Sequence, residues 1–286
     1  MDEHCCLYAL TWADCPTNIF GPGVDSRFAV ELVRCGRVAA LTSRVGLDQF
    51  DMAKLQEGTA DFPWLSKVAV RHHEIIAAAA RHAPVLPMRL GIFFASRSSL
   101  IAKLIPYAAK ATEFLRYVED RQEWAVKIYI DEDRAEKAIP GNPPHVRPTM
   151  GTWCPSLTSI DEARPGGGTQ YLLAKGLRGE RRRQVQTTVG QAVLTAEARL
   201  QGMTDSWQRL RPLPTTLTNR LEKMVWNGAF LLSKSILPSF QAACEQLGNE
   251  LAPGGLIVEL TGPWPAYHFC PSFEPQHEDS SCRCTC

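Results

Sequence analysis

The stretch Pro84–Ala95, PVLPMRLGIFFA, decides the fold of this chain. Val85, Leu86, Met88, Leu90, Ile92, Phe93 and Phe94 leave Arg89 as its single charge, and so apolar a run predicts a strand lying inside a sheet. Pro84 and Pro87 withhold two backbone donors, so the first part is expected to enter along an edge or at a bulge, with regular pairing starting near Met88. Gly91 is expected to let a neighbour approach closely.

Upstream, Asp61 followed by Pro63 reads as a helix start, because the carboxylate can cap free amides and proline suits the first turn. Leu65, Val68, His72, Ile75 and Ala79 then recur at spacings of three and four, which sets His72 on the apolar stripe of that helix. No carboxylate or thiol is spaced to ligate a metal with His72, so it is read as a core residue holding a backbone carbonyl. Nearer the start, Cys6–Trp12 reads as a first strand, and Phe28–Arg34 with Val38–Val45 as a hairpin turning at Cys35-Gly36. A short helix is expected around Leu47–Leu55.

Downstream, Leu100, Leu104, Tyr107, Ala111, Phe114 and Val118 keep a helical period, giving a helix over Ser98–Glu119 with a kink at Pro106. Trp124, Val126, Ile128 and Ile130 then alternate with Ala125, Lys127 and Tyr129, a half-buried strand. The order of strand, hairpin, helices, strand, helix and strand predicts a modified ferredoxin-like layer of sheet and helices over residues 1–131. Residues 132–168 follow as a linker or long loop, rich in proline and closed by Gly166, Gly167 and Gly168. No phosphate-loop pattern surrounds those glycines.

Residues 169–270 predict a second α+β domain. Val185, Val189, Ala192, Ala196, Leu200, Met203 and Trp207 step by threes and fours, so Gln170–Trp207 is expected to be mostly one amphipathic helix, roughly 55 Å long at ~1.5 Å per residue. One small domain would not cover such a helix. Val185, Val189, Leu200 and Met203 are therefore candidate partner contacts, with packing between the two domains as the other use of the stripe. Arg178, Arg181, Arg182 and Arg183 make a basic run, read as a solvated helix face or an anion contact. Met224–Leu232 reads as a strand interrupted by Asn227-Gly228, Ile236 to Leu251 as a helix, and Leu256–Thr261 as a last strand. Residues 271–286 are polar and acidic with a C-x-C-x-C end, and are expected to be disordered.

A net charge of +1, with 45% hydrophobic and 21% charged residues, describes a globular chain with no general electrostatic reason to bind nucleic acid. No run approaches the length of a membrane span and no signal-peptide pattern opens the chain, so a cytoplasmic location is expected. The ten cysteines are accordingly read as mostly reduced thiols. No cofactor is implied.

Several of these segments resemble the gas vesicle protein F/L family. Pro84–Phe94 is similar to its P-V-L-P-[LM]-R-[FL]-G-x-x-F segment, which makes Pro87, Arg89 and Gly91 family positions. His72–Ile76 resembles H-x-x-V-L, and Glu123–Asp131, with Trp124 and Lys127, resembles E-W-x-V-K-[VI]-Y-x-D. Gly168–Leu172 resembles the helix start G-x-x-Y-L, carrying Tyr171 and Leu172. The most specific match is Thr261–Phe269, similar to T-G-P-W-P-P-Y-x-F, with Gly262, Pro263, Trp264, Pro265, Tyr267 and Phe269 in place and Ala266 where a second proline is usual. There the prolines fix backbone angles, and Trp264, Tyr267 and Phe269 are expected to anchor the strand end against the core. Asn227-Gly228 alone signals a hairpin turn, whereas the family's V-L-N-x-A-F-L-V strand implies a continuous strand with Gly228 as a tolerated variant.

The resemblance implies a gas vesicle assembly or minor structural protein. Its partners would be the hydrophobic shell subunit and other gas vesicle accessory proteins, with location in the cytoplasm and on the vesicle. Two other functions remain in view. An enzyme would need a site type that none of the common motifs announces. An RNA-binding module would use Arg89–Phe94 as its recognition strand, but Leu90 stands where such a strand needs a small residue.

Overall fold

The computed structural model describes residues 3–48, 50, 61–139, 167–204 and 206–271, with backbone alone for 167–174. The short helix expected around Leu47–Leu55, the proline-rich stretch 140–166 and the cysteine-bearing tail lie largely or wholly outside them. The chain is α+β with two sheets. Its described residues fall into two compact units: Met1–Trp124 with Ala229–Ser235 and Thr261–Cys286, and Ala125–Gly228 with Ile236–Leu260.

The first unit is built on β1 (Glu3–Trp12), whose residues Cys5 to Thr11 are all buried. β2 (Val30–Cys35) and β3 (Val38–Gly46) form the expected hairpin, and the sheet runs in the order β2-β3-β1-β4. Alternation along β1 feeds two cores, Cys6 and Tyr8 entering one and Leu7 and Leu10 the other. Helix α1 (Phe62–Ala80) contributes Val68, Ile75, Ile76 and Ala79 to the first core. Pro63 lies in its first turn, but the Asp61 side chain makes no capping hydrogen bond, contrary to expectation.

Pro84–Ala95 is not the strand inside the sheet; β1 is. The stretch breaks into β4 (Val85–Pro87) and β5 (Phe93–Phe94), both paired antiparallel to β1. Pairing begins at Val85, not at Met88, is interrupted from Arg89 to Gly91, and resumes where the Ile92 carbonyl accepts from the Leu7 N–H at 3.0 Å. The reason is that proline removes donors only from one side, so β4 serves as an edge while Met88 still donates to the Tyr8 carbonyl at 2.8 Å. The run is apolar because both its faces are covered: Val85 belongs to one core, Leu86 and Met88 to the other. Gly91 has φ +100 and open space where a Cβ would sit, so it supplies a backbone conformation and not a close approach.

The second core of this unit is closed by α2 (Arg97–Leu104), a 3₁₀ turn at Ile105–Tyr107 that accommodates Pro106, and α3 (Ala108–Tyr117). Ser96 opens α2 with a reciprocal capping box to Ser99.

The second sheet has the order β7-β8-β6-β9. Its strands are β6 (Arg121–Ile130), β7 (Trp207–Leu210), β8 (Lys223–Ser233) and β9 (Leu256–Trp264). The strand around Trp124–Ile130 thus pairs in this sheet and not in the N-terminal layer where sequence order had put it. β8 runs unbroken through Asn227-Gly228. Gly228 is more than tolerated: a Cβ there would come within 2.4 Å of the Trp226 ring on the same strand face.

In the second unit, α4 (Glu132–Ala138) precedes the long α5 (Gly167–Gln201), which ends six residues short of Trp207; Trp207 begins β7 instead. Along α5 the stripe is covered by the chain itself, Val185, Val189 and Leu200 being 6%, 9% and 0% exposed. Met203 is half-buried in the turn beyond the helix. A short α6 (Thr215–Thr218) and α7 (Leu237–Leu251) complete the unit.

Candidate interaction surface

The residues from Thr261 to Cys270 belong to the first unit. Pro263 and Pro265 interrupt the supply of N–H donors, so β9 cannot continue past Trp264 and the chain turns into a 3₁₀ segment over Tyr267–Phe269. Gly262 has φ +151, and a Cβ on it would lie 2.8 Å from the Trp124 ring. The backbone therefore passes tightly over Trp124, itself 9% exposed.

Ala266, at 6% exposure, is the residue that enters the core; Phe269 and Cys270 pack partly against the same cluster. The Cys270 thiol donates to the Ala266 carbonyl at 3.0 Å and lies 3.8 Å from the Pro87 carbonyl. Burial pushes this thiol up to about 12, so it stays protonated. Burial also raises Cys5, Cys6, Cys15 and Cys244, and the six described cysteines are all free thiols.

Glu123 holds the segment. Its side chain is 2% exposed and accepts from the His268 backbone N–H at 3.0 Å and from ring Nδ1 at 2.6 Å. That hydrogen bond, more than the opposing desolvation, raises the His268 pKa above its ordinary 6.5. On the outer side, the Tyr267 hydroxyl is 2.9 Å from His73 Nδ1, and the His73 ring lies 5.7 Å from Trp264 and 5.9 Å from Tyr267. Desolvation raises the Tyr267 pKa, helped by Cys270 and Glu123. Beside these rings lies a cleft of about 460 Å³ lined by Arg81, His82, Arg121 and Trp264 among others.

The expected anchoring is thus divided. Trp264 and Tyr267 are 40% and 37% exposed, so they face outward, and Ala266 takes the anchoring place expected of them. What results is a pair of aromatic side chains on a backbone fixed from beneath. Such a pair offers large apolar contact area at small conformational cost.

Other family positions are distributed differently. His72 is 5% exposed and its ring centroid is 5.3 Å from that of Tyr8, within the core of the first unit. Burial lowers its pKa to about 4, partly offset by a hydrogen bond to the Leu7 backbone. Among the described residues its Nε2 has no hydrogen-bond partner. Pro87 and Trp124 meet the closing segment, whereas Arg89 is exposed and apart. Lys127 belongs to the second unit, 3.8 Å from Glu259. The side chains of Tyr171 and Leu172 lie outside the described residues. Phe93, packed against the first core, does not present the free ring face that base stacking needs.

Sequence reasoning singled out neither His73 nor His268, nor the role of Glu123. Only the placement of Glu123 at the head of a family motif pointed toward it. A further buried carboxylate, Glu197, accepts from Trp226 Nε1 at 3.1 Å and Gln201 Nε2 at 2.9 Å and pairs with Arg209, which ties α5 to β7 and β8. Among the described residues, no group of three or more His, Cys, Asp or Glu is placed to hold a metal ion.

Residues 5–271 match the family profile described as gas vesicle synthesis protein GvpL/GvpF. The chain is 26% identical over 239 residues to gas vesicle protein L of Streptomyces sp. (strain CB03234), covering 83% of this chain and 82% of that protein. Gas vesicle protein F of the same strain is 29% identical over 200 residues, covering 69% and 75%. The crystal structure of GvpF from Anabaena sp. PCC7120 superposes with a TM-score of 0.65 at 16% identity, covering 97% of this chain and all of that one. The GvpF structure from Microcystis aeruginosa gives 0.61 at 15% identity, covering 94% of this chain.

Proposed function

The chain belongs to the GvpL/GvpF family of gas vesicle proteins, and from that premise we propose that it binds the hydrophobic shell subunit during vesicle formation, through the surface around Trp264 and Tyr267. A newly made shell subunit exposes apolar surface to water and is prone to aggregate, so a protein that covers it transiently lowers that risk. The observation that supports this surface is the exposure of two aromatic rings on a backbone held from beneath by Glu123 and Ala266. Rigid aromatic side chains are the kind that dominate binding energy at protein interfaces. The α5 stripe is already used inside its own unit, which leaves it no part in this reading.

Catalysis is not part of the proposal. Around this surface Glu123 holds the His268 backbone and ring, and His73 meets the Tyr267 hydroxyl. We place the protein in the cytoplasm and on the forming vesicle, in company with other accessory proteins. Among the described residues no helix is long and apolar enough to cross a membrane.

Co-expression of the tagged chain with the shell subunit tests the reading. The native chain is expected to retain the subunit through purification, and Trp264→Ser with Tyr267→Ser to lose most of it while keeping its thermal transition. Failure of the native chain to capture the subunit, or equal capture by the folded variant, overturns it.

A further inference from the structure

The cleft beside Trp264 has a charge preference of its own. It lies within the first unit, between the end of α1, the start of β6 and the closing segment, and has a volume of about 460 Å³. Pro263, Trp264 and Pro265 supply an apolar wall on backbone that proline holds rigid, while Arg81, Arg121 and Lys234 line the cleft with cations. Two carboxylates, Glu119 and Glu123, share the lining. Glu123 is already spent, one oxygen accepting from the His268 backbone N–H and the other meeting its ring.

The cations are not equally engaged. Lys234 faces Asp120 at 3.8 Å. Arg121 lies over the Tyr117 ring, 4.5 Å from its centroid, and a guanidinium stacked in this way keeps N–H groups at its edge for a carboxylate. Arg81 is exposed, and among the described residues its side chain has no polar partner. The carbonyls of Ala77 and Ala79 at the end of α1 do not claim it, because they accept backbone N–H groups. We propose that this cleft receives a carboxylate side chain of the shell subunit, seated against Arg81 and Arg121 beside the apolar residues that cover Trp264 and Tyr267. Resting on the shell-subunit reading, this adds a requirement to it. Exposed aromatic area alone would admit any apolar segment, whereas cations at its margin demand a negative charge beside the apolar residues and disfavour a segment with lysine or arginine there.

Capture of the shell subunit by the co-expressed, tagged full-length chain gives the test. At low salt, Arg81→Glu is expected to retain several-fold less subunit than the native chain and Arg81→Lys as much. Glu119→Gln is expected to retain more, because it removes an opposing carboxylate from the lining. Arg81 and Glu119 are both exposed, so their replacement leaves the thermal transition in place. High salt is expected to narrow the differences, since it screens exposed charges. Equal capture at low salt by the native, Arg81→Glu and Glu119→Gln chains overturns the carboxylate contact and leaves the aromatic surface standing, whereas a native chain that captures nothing overturns both. Capture abolished by nuclease treatment would assign the cleft to nucleic acid and overturn the carboxylate contact as well.

Discussion

Glu123 and His268 are separated by 145 positions, yet the Glu123 carboxylate receives both the backbone N–H and the ring Nδ1 of His268. One nearly buried carboxylate on β6 thus fixes the 3₁₀ turn that presents Tyr267, and its hydrogen bond raises the His268 pKa above the ordinary value.

The folded-state pKa of His268 is raised, so its contribution to stability is complete below about 6.5 and is lost as pH rises through the folded value, which lies above 6.5. Glu123→Gln is expected to abolish that alkaline loss. Glu123→Ala is expected to cost about 2 kcal/mol, the scale of hydrogen bonds to a charged group. Urea titrations between pH 6 and 9 check both, and an unchanged slope in Glu123→Gln counts against the role given to the pair.

His72 acts in the opposite direction. Its pKa falls from 6.5 to about 4 on folding, so the unfolded chain binds more protons between those values and stability drops as pH falls through that window. The full loss is about 3 kcal/mol at 1.36 kcal/mol per unit. His72→Gln is expected to flatten this acid limb and to leave metal content unchanged. Calorimetry from pH 7 to pH 4 compares the two chains, and a stoichiometric metal lost with the substitution would contradict the core assignment.

Gly262→Ala is expected to destabilise the first unit by about 2–4 kcal/mol, since the new Cβ meets the Trp124 ring in a conformation unfavourable to L residues. Intrinsic fluorescence should report a displaced Trp124. A variant as stable as the native chain would mean that the crossing over Trp124 is looser than described.

Leu200→Asp and Met203→Asp are expected to differ sharply. Leu200 is fully buried, so a carboxylate there costs about 4 kcal/mol or more, whereas at half-buried Met203 the change stays near 1 kcal/mol. Thermal melts separate them. A Leu200→Asp chain that melts normally but loses the shell subunit would return the α5 stripe to the role of partner contact.

Local rules carried much of the fold. The β2–β3 hairpin, the α1 stripe with His72 inward, the break at Pro106 and the helix from Leu237 follow from period, turn chemistry and proline, all of which act between near neighbours. The continuity of β8 through Asn227-Gly228 was legible only through the resemblance, because the local turn signal points the other way. At the candidate surface, the sequence marked Gly262 to Phe269 as distinctive. It did not mark His73 or His268, whose partners are far along the chain.

The sequence by itself determined which residues are apolar, where regular elements start and stop, and that the closing motif is special. Tertiary structure decided which apolar stretch is central and which is peripheral, because burial by helices on two faces produces the same composition as burial between two strands. That is why PVLPMRLGIFFA forms an edge while β1 forms the centre. Tertiary structure also decided that Ala266 points inward and Trp264 and Tyr267 outward. That choice rests on Glu123 and on the space above Trp124, and neither is written into the spacing of residues 261–269.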